Sequence, residues 1–299
     1  MKLRSILCLL LAATFNIFIV KAQNNMVVLE TDFGVKDGAV ASMKGVITQV
    51  DNNIRIYDIT HEVPAFNIWE AAFRLQQTIS YWPKGTVFVV VVDPGVGSKR
   101  KAIVAQTNSG HFIVTPDNGT LTLVAEKMGI KAVREIDEKT NRLPGSENSY
   151  TFHGRDIFAY TAARLASNKI TFEQVGRALP QQISAISYQK AIAESNTIKG
   201  SIPVLDVQYG NVWTNIDEPL LRQAGIKNYD PVMVQIFDKD RLVFSSSMLF
   251  VNTFSDVPEQ ELLCYLNSEM NFSIAINMGN FAERFKIGSG PSWKIVIKK

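Results

Sequence analysis

The sequence predicts two domains. Residues 26–190 read as an α/β domain on a doubly wound, mostly parallel sheet, and residues 196–299 as a smaller all-β, barrel-like domain. Three observations carry that reading. Val87 to Val92 is an unbroken apolar run, the pattern of a strand buried on both faces in a sheet covered by helices. Strand and helix patterns alternate ahead of it, as a doubly wound sheet requires. Beyond a polar, linker-like stretch at Pro180 to Asn196, short strands take over.

The elements follow in order. Met26 to Glu30 is a short apolar strand closed by Thr31-Asp32-Phe33-Gly34. Val40, Met43, Ile47 and Val50 then mark one stripe of a helix. Ile54 to Ile59 alternates as a second strand, followed by His61, Pro64 and Phe66. Asn67 to Trp82 reads as a helix stopped by Pro83-Lys84-Gly85, and Val87 to Val92 comes next. Ala102 to Gln106 and Phe112 to Thr115 form a hairpin through Asn108-Ser109-Gly110. Pro116-Asp117-Asn118-Gly119 is turn chemistry, Leu121 to Met128 a short helix and Ala132 to Ile136 a strand. A polar loop leads to Thr151-Phe152-His153-Gly154-Arg155-Asp156 and the helical run Ile157 to Ala166. The second domain is expected to hold strands at Ile198 to Val207, Val212 to Ile216, Val232 to Phe237, Arg241 to Phe244, Leu249 to Phe254, Phe272 to Asn277 and Trp293 to Ile297. Only Leu220 to Ala224 and Phe281 to Phe285 look helical there.

The 299 residues suffice for one large or two ordinary domains, and 46% hydrophobic with 20% charged content is that of a folded globular protein. Residues 1–22 read as a secretory signal: Lys2 and Arg4, the apolar run Ser5 to Val20, then Val20-Lys21-Ala22 as a cleavage site. The run is broken by Thr14 and Asn16 and is shorter than the roughly 20 residues a membrane span needs. The expectation is therefore an exported, periplasmic protein with no membrane attachment after leader removal. Lys2, Arg4 and Lys21 make up the whole formal excess of +3, so the mature chain is near neutral. It has no basic stripe for nucleic acid. Cys8 lies in the leader, which leaves Cys264 without an internal disulfide partner.

Several polar residues stand where a ligand would bind such a fold. Ligands of open α/β sheets sit outside the carboxyl ends of the strands. Asp93 is the first residue past such an end, and Arg100 lies seven residues on, within reach of folding back. A tight turn with a surface ion pair is the plainer alternative. Asp32, also at a strand end, has the placement to accept both hydroxyls of a ribose, or simply to make a turn. His153 stands at a helix entry, where histidines are often structural. In the second domain Tyr209 and Trp213 are placed to stack on a base and Asp206 to take an ammonium group, although a bend between strands explains the same residues. Ser268 sits in an expected hairpin turn. Asp32, Asp93, His153 and Asp156 match no metal-ligand spacing, so no metal site is expected.

Six stretches carry a more specific signal: TDFGVKDGAVASMKGVI (31–47), GTVFVVVVDPGVGSKR (85–100), TPDNG (115–119), TFHGRDIFAYTAARLA (151–166), YGNVWTNID (209–217) and NFSIAIN (271–277). In this order, over the chain from Met26 to Lys299, they resemble the S-adenosylmethionine hydroxide adenosyltransferases, relatives of the fluorinases and chlorinases. The resemblance implies cleavage of S-adenosylmethionine at the ribose 5′ carbon by water, releasing adenosine and methionine, with no cofactor. It implies homotrimers whose active sites lie between the α/β domain of one subunit and the barrel of the next. It places an Asp–Arg–His catalytic set on Asp93, Arg100 and His153, and a ribose-binding carboxylate on Asp32. Methionine-binding positions fall on Asp206, Asn211 and Ser268, and adenosine contacts near Phe66, Tyr209, Trp213 and Ile276. Halide-using relatives lack the Asp–Arg–His set, so water is the expected nucleophile. Alternatives are a halide-using relative and a non-catalytic, exported nucleoside-binding protein. The chain departs from the family in Glu269-Met270-Asn271, where relatives often carry a glycine, and in Tyr209 for a common phenylalanine. The leader is the larger departure, because S-adenosylmethionine is made in the cytoplasm.

Overall fold

The computed structural model describes residues 24–299; the expected leader lies outside the described residues. The first domain runs β1 (Met26–Thr31), α1 (Ala39–Val50), β2 (Arg55–Thr60), α2 (Ile68–Thr78) and β3 (Val87–Val91). It continues with β4 (Ala102–Thr107), β5 (Phe112–Pro116), α3 (Thr122–Met128) and β6 (Ile130–Glu135). A π-helical turn (Gly154–Ala159) runs into α4 (Tyr160–Ala166), and β7 (Ala178–Leu179) closes the sheet. The strand order is β2-β1-β3-β5-β4-β6-β7.

Helices cover both faces of this sheet. Met43 and Ile47 of α1 and Ala162 and Ala163 of α4 pack on Val27, Leu29, Val87 and Val89. Ala71 and Leu75 of α2 and Val124 of α3 pack on Val28, Phe88 and Val90. Alternate residues of β1 and β3 thus enter opposite cores, which is why these strands read as continuous apolar runs. The sheet is mixed, however, and not mostly parallel. β2, β1, β3 and β5 run parallel, whereas β4, β6 and β7 are joined by antiparallel pairings. The cause is the short β4–β5 connection: a parallel pairing needs a crossover of about a dozen residues or more, and a tight hairpin cannot provide one. β5 docks beside β3 and leaves β4 antiparallel outside it.

The second domain comprises β8 (Ile192–Glu194), β9 (Thr197–Ile202), β10 (Val204–Leu205), β11 (Val212–Asp217), α5 (Glu218–Gln223), β12 (Pro231–Asp238) and β13 (Arg241–Phe250). β14 (Leu262–Leu266), β15 (Asn271–Ile276), α6 (Phe281–Phe285) and β16 (Gly290–Lys298) complete it. The order β10-β11-β15-β14-β13-β12-β16-β9-β8 leaves two edges, so the sheet does not close into a barrel by hydrogen-bonded ladders. It folds over its core instead. Ser201 N of β9 donates to Asn215 Oδ1 of β11 at 2.7 Å. A Cβ on Gly200 would lie 2.7 Å from Ile216 Cγ1, so only glycine allows this crossing. Three strand expectations change. Pro203 splits the long first strand into β9 and β10, Arg241 to Phe250 is one strand through its serines, and β14 has no counterpart in the sequence reading.

Two side chains of α2 join the domains: Trp69 Nε1 donates to Pro203 O at 2.9 Å, and Arg74 Nη2 to Leu205 O at 3.3 Å. Among the described residues, no helix is long and apolar enough to cross a membrane.

Candidate active site

The β3 run ends at Val92, and the chain then turns twice. Val96 N donates to Asp93 O at 3.1 Å and Ser98 N to Gly95 O at 3.0 Å. These turns carry Arg100 back onto Asp93. Arg100 Nε donates to Asp93 Oδ1 at 2.9 Å and Nη2 to Asp93 Oδ2 at 2.5 Å, a two-pronged pair matched to carboxylate geometry. Both side chains are almost wholly buried, at 10% and 5% exposure, so this is not a solvent-screened surface pair. The guanidinium also lies 5.3 Å from the centroid of the buried Phe158 ring.

His153 joins this pair from 53 positions further along the sequence. It directly precedes the π-helical turn, whose Arg155 N and Asp156 N both donate to Phe152 O. Such wide turns often re-aim side chains at functional sites. Inside it, Arg155 Nε donates to the buried Asp156 Oδ1 at 2.6 Å, which commits both side chains to each other. His153 Nδ1 lies 3.0 Å from Arg100 Nη2. A guanidinium can only donate, so Nδ1 presents its lone pair and the ring proton resides on Nε2. Nε2 is buried and has no protein partner. Burial, together with the positive charge of Arg100, holds the His153 pKa below the ordinary histidine value. The ring is therefore neutral at physiological pH.

Asp93 and His153 border a cavity of about 260 Å³, which Asp32, Phe33, Phe66 and Phe152 also line. Phe33 and Phe152 stack edge to face with centroids 5.7 Å apart and make its apolar wall. Asp32 Oδ2 accepts from Phe66 N at 2.9 Å. Phe66 is held at φ 67°, a conformation uncommon for a bulky side chain, and is 71% exposed.

The other candidates line a second cavity, of about 750 Å³, in the β domain. Asp206, Tyr209, Asn211, Trp213, Ser268 and Ile276 all border it. Asp206 closes a turn: Oδ1 accepts from Gln208 N at 3.2 Å, and Oδ2 from Asn211 Nδ2 at 3.3 Å. Gly210 in that turn has φ +69°, and a Cβ there would fall 1.8 Å from Asn280 Oδ1. Ser268 lies in the β14–β15 turn, held by Asn267 Oδ1, which accepts from Glu269 N at 2.9 Å and Asn271 N at 3.0 Å. The first cavity is smaller than the roughly 300–1,000 Å³ of a usual ligand pocket, and the second lies within that range. The two share no lining residue.

Sequence reasoning missed Phe33, Phe152, Tyr265 and Asn267. The first two flank chosen residues in TDFG and TFHGRD and were legible there as apolar neighbours of polar groups. Tyr265 and Asn267 belong to the unforeseen strand β14 and its turn. Burial pushes the Tyr265 hydroxyl up to about 12, so it borders the second cavity as a neutral donor. Among the described residues, no group of three or more His, Cys, Asp or Glu is placed to hold a metal ion.

Comparison with known proteins agrees with this layout. The family model for the SAM hydroxide adenosyltransferase N-terminal domain matches residues 27–176, and that for its C-terminal domain matches residues 200–294. An (R)-S-adenosyl-L-methionine hydrolase of Methanocaldococcus jannaschii is 33% identical over 88% of this chain and 92% of its own. A fluorinase of Actinopolyspora mzabensis is 25% identical over 89% of this chain and 95% of its own. The crystal structure of an uncharacterized conserved protein from Thermotoga maritima superposes with a TM-score of 0.82 at 35% identity, covering 92% of this chain and all of that one. The chain, with both of its domains matched, belongs to the SAM hydroxide adenosyltransferase family.

Proposed function

We propose that the protein is an S-adenosyl-L-methionine hydrolase that forms adenosine and L-methionine. The observation that carries this reading is the buried Asp93–Arg100–His153 cluster, whose Asp93 and His153 border the first cavity, with a neutral histidine whose Nε2–H has no protein acceptor. Relatives carrying the hydrolase name over nearly the whole length support it.

The chemistry suits these groups. The sulfonium is already a good leaving group, so the barrier lies in the nucleophile. Water must stand in line with the C5′–S bond and lose a proton as its oxygen attacks C5′. The C5′–S electron pair departs to sulfur and gives the neutral thioether of methionine. His153 Nε2–H can hold the water oxygen, and Asp93 has lone pairs beyond those taken by Arg100 with which to accept the proton. Arg100 fixes both partners and offsets the negative charge as the proton moves. Alignment of this kind is worth on the order of 7–11 kcal/mol at best. Asp32 takes the ribose hydroxyls and Phe66 lies against the sugar and base. Asp206, Asn211 and Ser268 hold the methionine moiety, and Tyr209, Trp213 and Ile276 the adenosine. No cofactor enters this scheme.

The two cavities are proposed to form one active site across neighbouring subunits. In favour of that, they share no lining residue, and each is bordered by exposed apolar side chains such as Phe66, Tyr209 and Met278. The proposed assembly is a homotrimer pairing the α/β half-site of one chain with the β-domain half-site of the next. Its setting is proposed to be outside the cytoplasm, a reading supported by the leader-like pattern of residues 1–22. Incubation with S-adenosylmethionine should release equal amounts of adenosine and methionine. Tight adenosine binding without turnover of any sulfonium would replace this reading by a nucleoside-binding protein.

A further inference from the structure

His61 is buried at 5% exposure, follows β2 and has no part in the chemistry above. Its ring Nδ1 lies 2.8 Å from Thr31 Oγ1. Its Nε2 stands 3.1 Å from Asp58 Oδ1, at an angle too oblique for a well-formed hydrogen bond. Asp58 is anchored in turn by Lys44 of α1, whose Nζ donates to Oδ2 at 2.6 Å. The carboxylate beside Nε2 favours the proton there, which leaves Nδ1 to accept from the Thr31 hydroxyl. That hydroxyl oxygen still accepts from Phe33 N at 3.2 Å.

The segment gripped in this way is the one that carries Asp32. Residues 61–66 tie to residues 31–34 at four points. The His61 ring meets Thr31, and Gly34 N donates to His61 O at 2.7 Å. Val63 N donates to Thr31 O at 3.4 Å, and Phe66 N donates to Asp32 Oδ2 at 2.9 Å. Three of the ties are made by backbone amides, which almost any residue supplies. The ring-to-hydroxyl bond is the one that depends on residue 61 being a histidine. It fixes the residue before Asp32 and, through the shared oxygen, the residue after it.

We propose that His61 is a positioning residue for substrate binding: through Thr31 it sets the direction of the Asp32 carboxylate and of the Phe33 wall. The proposal rests on the reading of Asp32 as the ribose-binding group. Side chains that orient a binding group without touching the ligand act chiefly on affinity when they bear on ground state and transition state alike.

The test is steady-state kinetics with S-adenosylmethionine, with thermal melting in parallel, on His61→Ala, His61→Asn, Thr31→Val and Asp32→Ala. Asp32→Ala should raise KM. His61→Ala and Thr31→Val should each raise KM by about ten-fold, the scale of one well-placed hydrogen bond, with a smaller change in kcat. His61→Asn, whose amide occupies the place of Nδ1, should return KM to within about three-fold of the parent. If His61→Ala does not fold, Thr31→Val removes the same bond at matched volume and carries the same expectation. Unchanged KM in His61→Ala or Thr31→Val, beside a raised KM in Asp32→Ala, overturns the role of His61 and leaves that of Asp32 standing. Unchanged KM in Asp32→Ala overturns the reading of Asp32 and this proposal with it. Failure of His61→Asn to recover KM assigns the effect to bulk packing and also overturns the proposal.

Discussion

Arg100 spends its donors on two acceptors that a single ammonium could not serve together. Its Nε and Nη2 meet the two oxygens of Asp93, and Nη2 also reaches His153 Nδ1. Arg100→Lys keeps the charge but loses the fork, so kcat should fall by about 10²-fold with the fold intact, as steady-state rates and circular dichroism would reveal. His153 sets the pH behaviour. Protonation would place an Nδ1–H against an Arg100 N–H and dismantle the cluster. Burial and the Arg100 charge lower the His153 pKa, so the neutral, competent ring persists further into acid than an ordinary histidine would. The acid limb of kcat/KM should therefore turn below about 6.5, the unperturbed histidine value. In an Arg100→Gln variant the acid limb of any residual activity should move to higher pH. Much of this was legible in the sequence: six residues with two glycines between Asp93 and Arg100 read as a fold-back. The third partner, 53 positions further on, read locally only as a histidine at a helix entry, and its place beside this pair came through resemblance. The direction in which the ring presents its lone pair needed coordinates.

At the scale of elements, β1 places Glu30 two residues before Asp32, fully buried, with neither carboxyl oxygen bonded. Burial raises its pKa well above the usual value, despite the opposing charge of Arg74. The folded state thus keeps a proton that the unfolded chain loses above about pH 4.3. That term destabilises the native protein increasingly as pH rises from there towards the folded pKa. Glu30→Gln removes the titration, so its melting temperature should exceed the parent's at neutral pH and converge on it near pH 4. A second element-level constraint is the Asp206–Asn211 turn. Gly210→Ala would set a Cβ at φ +69° and 1.8 Å from Asn280 Oδ1, the atom that caps α6 by accepting from Glu283 N at 2.9 Å. Either the turn or the cap must yield. A rise in KM of about ten-fold with a lowered melting temperature is expected. Element types were mostly readable from periodicity, as in β1, α1 and β3. β14 was not, although the turn after it was expected, because LLCYL is a short continuous apolar run that periodicity alone does not assign to strand or helix. The π-helical turn was hidden as well, since its apolar positions fit an ordinary helix.

At the scale of the whole molecule, the order of two domains was legible from the shift in pattern near residue 190, whereas sheet topology was not. Whether β5 or β4 pairs with β3 is not set by hydropathy, because both hairpin strands are mostly apolar. Likewise, nine strands do not announce whether they close, and the close approach of Gly200 to Ile216 that lets this sheet fold over its core needed coordinates. The proposed sharing of each active site between neighbouring chains has a direct consequence. Asp93→Ala disables only the α/β half-site and Asp206→Ala only the β-domain half-site. Each variant alone should be nearly inactive. A trimer reassembled from an equal mixture should recover activity at about a quarter of its sites, since an intact α/β half and an intact β half each occur with a chance of about one half. No recovery after exchange of subunits, verified by mass spectrometry, would contradict shared sites. The central claim, water attack on the ribose 5′ carbon, is tested most directly by turnover of S-adenosylmethionine in water enriched in heavy oxygen. Mass spectrometry of the product should find one heavy oxygen in the 5′ hydroxyl of adenosine and none in methionine. Adenosine without label, or a 5′-halogenated nucleoside formed when halide is present, would contradict it.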